Sequence, residues 1–330
     1  MRPYQYRCND KSLVTPVFKR WIVAPLIQFI PWSIPANIIT ILSNGFVYLS
    51  LYLTLRSSPV IDTFTRMSVA SCLLVYLIGD HLDGMQAKRT ETGSALGEFC
   101  DHYLDAFNNG IIVFTMLLIF QVTNPLIIVI VIVASYLAHL SVFYEQFKTG
   151  WLTFEKMGSL EGVLVATAAI SLSCIEKIND AMLTKIFLGC SGFELLMLIS
   201  ATGAFITFFT IWKRTPDVKY NFWLFIVLLV VLTALCIGRF SNVELFVIIT
   251  LYASLYIGQI IQGHLIDGVE RKPDVVVPLF LMFSFITPNN IISEYTFWII
   301  ASYLIFCIGY LVVSVFSILK IYWVWVNTKK

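Results

Sequence analysis

The chain has 330 residues, of which 58% are hydrophobic, 15% aromatic and 13% charged, and its mean hydropathy is +0.83. Those proportions exclude an ordinary soluble domain and describe a polytopic membrane protein. A formal net charge of +2, with the basic residues distributed along the chain, excludes a nucleic-acid partner.

Residues 1–20 are polar and basic, without an early apolar core or a small-residue cleavage site. No cleavable signal peptide is expected, and the N-terminus is expected to stay in the cytosol. From Val14 to Ile30, Lys19, Arg20, Trp21 and Phe29 mix with aliphatics around Pro16 and Pro25, which predicts an interfacial helix rather than a span. A spanning helix needs roughly 20 apolar residues. About ten such runs follow, near 37–55, 65–83, 98–120, 125–144, 159–175, 187–211, 222–239, 243–263, 275–287 and 296–319. The fold class expected is therefore an all-α polytopic membrane protein with about ten transmembrane helices plus the N-terminal interfacial helix. No linker, low-complexity stretch or internal repeat interrupts the chain. It reads as a single transmembrane domain, with an interfacial segment to residue 36, a catalytic core over 37–175 and additional helices over 176–330.

Lysine and arginine orient this layout, because cytosolic loops hold the excess. With the N-terminus inside, only Arg56, Arg66, Lys177, Lys185 and Arg239 of the 22 basic residues fall outside. Both termini are then cytosolic. Seven cysteines, odd in number and without a Cys-x-x-Cys, make a disulfide framework or a zinc site an unsuitable reading.

The chemistry concentrates where spans two and three meet. Asp80 and Asp83 end one span, and Asp101 and Asp105 begin the next. Ionisable groups at membrane depth are expected only where they face a cavity, a partner or a metal. Spacings of three and four put each pair on one helix face, and two antiparallel helices can bring the pairs together. Converging carboxylates suit hard cations such as magnesium better than zinc. Gly84 lets a flat or phosphorylated ligand approach the backbone, Ala87 keeps the next turn small, and Gly97 does the same one turn before Asp101. Lys88 and Arg89 supply positive charge for phosphate oxygens. Together these residues describe a site for a diphosphate.

The pattern Asp-x2-Asp-Gly-x2-Ala-Arg-x8-Gly-x3-Asp-x3-Asp is the signature of CDP-alcohol phosphotransferases. This chain resembles it through Asp80, Asp83, Gly84, Ala87, Lys88, Gly97, Asp101 and Asp105, with every spacing kept and Lys88 where the family has Arg. Lysine retains the charge and loses the bidentate fork. Gln86, Arg89-Thr90, Leu96-Gly97-Glu98, Asp101-His102, Tyr144-Glu145 and Leu160-Glu161-Gly162 are similar to the choline and ethanolamine phosphotransferase branch, with Tyr103 where that branch has Gly. Pro35 to Thr40 resembles the family's entry into span one.

The resemblance implies an activity. A lipid hydroxyl, that of diacylglycerol, attacks the β-phosphorus of CDP-ethanolamine or CDP-choline, and CMP leaves. It implies two Mg2+ or Mn2+ ions held by Asp80, Asp83, Asp101 and Asp105, with Asp105 also a candidate base. It implies nucleotide and phosphate contacts at Asn37, Gly84, Ala87, Lys88, Arg89 and Gly97, and head-group contacts at Glu145 and Glu161. His102 is the rival base, since an imidazole titrates near neutrality; His81, His139 and His264 read as structural. It also implies a homodimer in the endoplasmic reticulum or Golgi of a eukaryote, or the inner membrane of a bacterium, with the site facing the cytosol. Other acceptors such as ceramide, and inositol or glycerol head groups, are the alternatives within the family. Two other classes predict different sequences. A cation transporter predicts repeats and broken helices at the bilayer midplane, and a scaffold with a dead motif predicts loss of the aspartates.

Overall fold

The computed structural model of this chain describes residues 6–286 and 290–319. Arg2, Lys320, Lys329 and Lys330, counted above as cytosolic, lie outside the described residues, as does residue 287 of the ninth run. Each apolar run forms a helix: α1 (Ala36–Ser57), α2 (Thr63–Thr90), α3 (Ala95–Ile119), α4 (Pro125–Thr149), α5 (Ser159–Leu172), α7 (Gly192–Arg214), α8 (Tyr220–Cys236), α9 (Asn242–Gln262), α10 (Val276–Ile286) and α11 (Asn290–Leu319). A short α6 (Glu176–Leu183) follows α5 at a bend of 113°.

Among the described residues, six helices, α1, α3, α4, α7, α9 with its continuation to Asp267, and α11, are long and apolar enough to cross a membrane. The bent pair α5–α6 makes a seventh if it is one span. At 28 residues α2 has the length, but it carries the aspartates and their flanking bases. The architecture is an all-α polytopic membrane protein, with six to seven spans by length and composition among its apolar helices. Residues 15–29 are helical as expected, although the segment changes from α to π to α to 3-10 within four turns.

Among the described residues there are also two small strand pairs. β1 (Cys8–Asp10) runs parallel to β2 (Leu152–Phe154), and β3 (Lys185–Phe187) runs antiparallel to β4 (Cys190–Ser191). All seven cysteines are free thiols. Packing divides the chain into two compact units, one of residues up to Val122 with Trp151–Leu196, the other of Thr123–Gly150 with Met197–Leu319.

In the first unit α1 is the shared partner of α2 and α3, and α5 packs on α2 and α3. The sequence of α1 shows why. Its buried positions Ala36, Thr40, Ser43, Val47, Ser50 and Thr54 recur every three or four residues, so one face is small and hydroxylated. In a membrane such a face lets backbones approach closely. The hydroxyls of this face bond back within the helix, Ser50 to the Val47 carbonyl at 2.7 Å and Thr54 to that of Ser50 at 2.8 Å. The opposite face exposes Ile41, Leu42, Phe46, Leu49 and Tyr52.

At Gly79 of α2 an added Cβ would collide with the Ser43 side chain, so the two helices are in close contact there. The far end of α2 starts at Asp62, whose carboxylate accepts the Thr65 N–H at 2.8 Å as an N-cap. Hydrogen bonds from Thr65 hold that carboxyl below the usual range. Arg66, buried in the first turn, donates to Ser173 Oγ at 2.7 Å and the Ile61 carbonyl at 3.2 Å, tying α2 to the end of α5.

In the second unit α9 is buried on nearly every side, against α4, α8 and α11. Lys148 pairs with Glu270 at 2.9 Å, and the Tyr144 hydroxyl donates to the same carboxylate at 3.0 Å. Beyond Gln262 the helix widens into a π turn, Gly263–Asp267, and stops at Gly268 in the left-handed region (φ 72°).

Gly79→Ala is expected to destabilise the first unit by about 1–3 kcal/mol through overpacking, read as a lower melting temperature in detergent. Gly45→Ala, whose Cβ would meet no atom within 4 Å, is expected to melt with the wild type. Adding Ser43→Gly to Gly79→Ala is expected to recover most of the loss.

Candidate active site

The turn between α2 and α3 sets the site's geometry. α2 ends at Thr90, with Glu91 in the left-handed region (φ 56°), and α3 starts at Ala95 behind Ser94, whose hydroxyl accepts the Gly97 N–H at 3.1 Å. Asp80 lies ten residues before the end of α2, and Asp105 ten after the start of α3. At 1.5 Å of rise per residue both sit about 15 Å from the turn, on a level with each other. Oxygens of Asp80, Asp101 and Asp105 accordingly lie within 4.8 Å of one another.

The acids line a cavity of about 1120 Å³ in the first unit. Its floor comes from α2 and α3. Its roof is the N-terminal segment, held by the β1–β2 pair and by Lys11 N–H donating to the Phe154 carbonyl at 3.1 Å. Asp83, buried, accepts the Thr40 hydroxyl at 2.6 Å, so the fourth aspartate is tied to α1 rather than placed in the close trio. Asp105 Oδ1 accepts the Tyr76 hydroxyl at 2.8 Å and Asn108 Nδ2 at 3.2 Å; Asn108 Nδ2 also donates to Asn44 Oδ1. Asp101 Oδ1 is buried without a hydrogen-bond partner among the described residues.

No lysine or arginine among the described residues pairs with any of the four aspartates; their nearby charged-type neighbours are histidines. His81 Nδ1 lies 3.4 Å from Asp80 and 3.1 Å from the Leu77 carbonyl. His102 Nε2 is 3.9 Å from Asp101, and its Nδ1 is 3.7 Å from Glu98. Converging hard oxygen donors, an orphaned carboxylate oxygen and no neutralising base fit a divalent cation such as Mg2+ or Mn2+. Asp80, Asp101 and Asp105 are the residues that would hold it, with Asp83 beside them.

The remaining expected residues sort into two groups. Asn37, Gly84, Ala87, Lys88, Gly97, His102 and Glu161 line the cavity with the acids. Gly84 has nothing within 4 Å of where a Cβ would be, so its backbone faces open space, whereas at Gly97 a Cβ would stand 3.2 Å from Asn37 Oδ1. Glu161, although it lines the cavity, spends its carboxylate on the roof: it accepts Ser12 Oγ at 2.5 Å, Val14 N–H at 3.3 Å and Gly158 N–H at 2.8 Å.

Two residues lie elsewhere. Arg89 donates to the Ile27 carbonyl at 2.8 Å, the Ile30 carbonyl at 2.6 Å and Gln86 Oε1 at 2.6 Å, and stands 4.6 Å from the Trp32 ring centre. Gln86 adds bonds to the Pro31 and Ile34 carbonyls. The end of α2 thus grips the segment that roofs the cavity, and basic residues of that segment, Lys19 and Arg20, line the cavity beside Lys88. Glu145 belongs to the second unit, where Arg214 clasps it with two bonds of 2.5 and 2.7 Å. Asn44, Tyr76 and Asn108 escaped the sequence reading. Their spacing was the signal, since they stand four after Thr40, four before Asp80 and three after Asp105.

Residues 33–191 match the family described as CDP-alcohol phosphatidyltransferase. The chain is 29% identical over 180 residues to an uncharacterized CDP-alcohol phosphatidyltransferase class-I family protein of Schizosaccharomyces pombe, covering 52% of this chain and 46% of that one. It is 27% identical over 184 residues to choline/ethanolaminephosphotransferase 1 of Saccharomyces cerevisiae, covering 53% and 46%. It is 28% identical over 174 residues to cholinephosphotransferase 1 of the same yeast, covering 50% and 43%. The chain thus spans somewhat under half the length of the curated relatives it matches.

Arg89→Ala is expected to raise amide hydrogen exchange across residues 15–29 by about tenfold, the equivalent of roughly 1.4 kcal/mol of local stability. Lys88→Ala is expected to leave the same amides unchanged.

Proposed function

We propose, from the match of residues 33–191 to the CDP-alcohol phosphatidyltransferase family, that this protein transfers phosphoethanolamine or phosphocholine from the CDP-alcohol to the hydroxyl of diacylglycerol, releasing CMP. The observation that carries the reading is the trio Asp80, Asp101 and Asp105, its oxygens within 4.8 Å of one another, in a cavity shared with Gly84 and Lys88. A pyrophosphate needs cations on its oxygens and backbone close enough to approach, and these residues supply both kinds of contact.

In this reading Asn37, Gly84 and Ala87 receive the nucleotide, and Lys88 meets a phosphate oxygen. Bound Mg2+ or Mn2+ supplies neutralisation of charge on the pyrophosphate and on the departing CMP. The lipid oxygen forms its bond to the β-phosphorus as the bond from that phosphorus to the CMP oxygen breaks, and CMP leaves with the electron pair. The hydroxyl proton passes to a base in the cavity. His102 suits that role better than Asp105. Its ring lies between Glu98 and Asp101, whereas Asp105 already accepts two hydrogen bonds on one oxygen and shares the acid cluster with the other acids. An acidic neighbour favours the imidazolium that forms. Placement in a multi-pass membrane is supported by the long apolar helices, and the lysine and arginine distribution supports a site facing the cytosol if α2, α5, α8 and α10 cross as well.

The test is a reconstituted assay of CMP release and lipid product, with CDP-ethanolamine and CDP-choline offered separately to diacylglycerol and to ceramide. Product is expected from diacylglycerol and an amino-alcohol donor, lost on chelation and restored by Mg2+ or Mn2+. Asp83→Ala and Asp105→Ala are each expected to lower the rate at least ~100-fold, about 2.7 kcal/mol of barrier. Full activity in either variant contradicts the assignment. Product formed only from CDP-diacylglycerol with inositol or glycerol phosphate moves the chain to another specificity.

A further inference from the structure

Tyr76 is absent from the aspartate signature and from every role assigned above. It is buried on α2, one turn before Asp80, and its hydroxyl crosses to α3 to donate to Asp105 Oδ1 at 2.8 Å. Asn108, one turn beyond Asp105 on α3, donates to the same oxygen at 3.2 Å and also to Asn44 Oδ1 on α1. Asn44 Nδ2 in turn donates to the Thr40 carbonyl at 2.7 Å. Two neutral donors from two helices therefore converge on one carboxylate oxygen, and a third helix braces one of the donors.

The other members of the trio lack such bracing. Among the described residues Asp101 Oδ1 has no hydrogen-bond partner, and the contact of Asp80 is with His81 at 3.4 Å. Torsion about the bond to an aspartate carboxylate is broad, and neighbouring negative charges push a free carboxylate away from the position where it repels most. Only fixed donors can hold it there. We propose that Tyr76 is a positioning residue that, with Asn108, pins Asp105 Oδ1 so that the remaining oxygen faces Asp80 and Asp101, making Asp105 the pre-oriented ligand of the divalent-ion site. This rests on the metal-dependent reading of the cavity. Donors one step behind a metal ligand typically govern affinity by 10–100-fold, and Tyr76 is placed to do so without touching the ion.

Tyr76→Phe removes the hydroxyl and keeps the ring. Mn2+ binding to purified protein without substrate, followed by the spin-resonance signal of free Mn2+, is expected to weaken by about tenfold or more in Tyr76→Phe. In the transferase assay the half-saturating Mn2+ concentration is expected to rise in parallel, with a smaller fall in kcat at saturating metal. Tyr303→Phe serves as the control. It deletes another tyrosine hydrogen bond, to Asp274 Oδ2 at 2.7 Å, and is expected to leave Mn2+ affinity unchanged. Should Tyr76→Phe fail to fold, Asn108→Ser removes the second donor to the same oxygen and carries the same expectation. Unchanged Mn2+ affinity in the folded variant overturns the role given to Tyr76 while leaving the reading of the cavity intact. A wild-type protein that binds no Mn2+ overturns the reading beneath it.

Discussion

Like charges held close together are the constraint around which the first unit is built. At 4.8 Å two ionised carboxylates repel by on the order of 3 kcal/mol at an effective dielectric constant of about 20, and the trio contains three such pairs. Between α2 and α3 the Tyr76 hydroxyl reaches Asp105 directly, but the mutual packing of the two helices is slight. Both instead pack along α1. Its small, hydroxylated face admits α2 to the point where Gly79 touches Ser43, and its Thr40 and Asn44 reach the acidic layer through Asp83 and Asn108. The acids are crowded by helices that a third helix holds in place, and the crowding is what gives the cavity its appetite for cations.

The N-terminal segment is the second structural condition of the site. A segment that passes from α to π to 3-10 within four turns leaves carbonyls without helical partners, and buried carbonyls require donors. Arg89 and Gln86 together donate to the carbonyls of Ile27, Ile30, Pro31 and Ile34, of which those of Ile27 and Pro31 also accept the N–H groups of Ile30 and Ile34. Arg89 thus closes the roof, and the roof brings Lys19 and Arg20 to the cavity wall. Glu161 works the same way from the opposite side, fastening Ser12 and Val14. Positive charge reaches the cavity from two sources, the end of α2 and the roof.

What local pattern encodes was legible before the fold was known. Every apolar run became a helix, and the spacing of the aspartates on α2 and α3 set Asp80, Asp101 and Asp105 where the two helices can bring them together. Partners set by tertiary packing were not legible. Nothing near Glu145 in sequence announces Arg214, and nothing near Glu161 announces Ser12, because contacts separated by 69 and 149 residues leave no periodic trace. The two compact units were hidden for a related reason, since α4 and α5 are adjacent in the chain and equally apolar yet belong to different units. Span counting by hydropathy stops short where function intrudes: α2 is long enough to cross, but its charges remove it from the apolar class.

The account stands on divalent ions occupying the space between Asp80, Asp101 and Asp105. Anomalous diffraction from crystals of the protein grown with Mn2+ and a CDP-alcohol reads that space directly. A manganese peak within coordination distance of those three carboxylates, beside the pyrophosphate, is the result expected. A peak held by other residues, with the three carboxylates making no contact to metal, contradicts it.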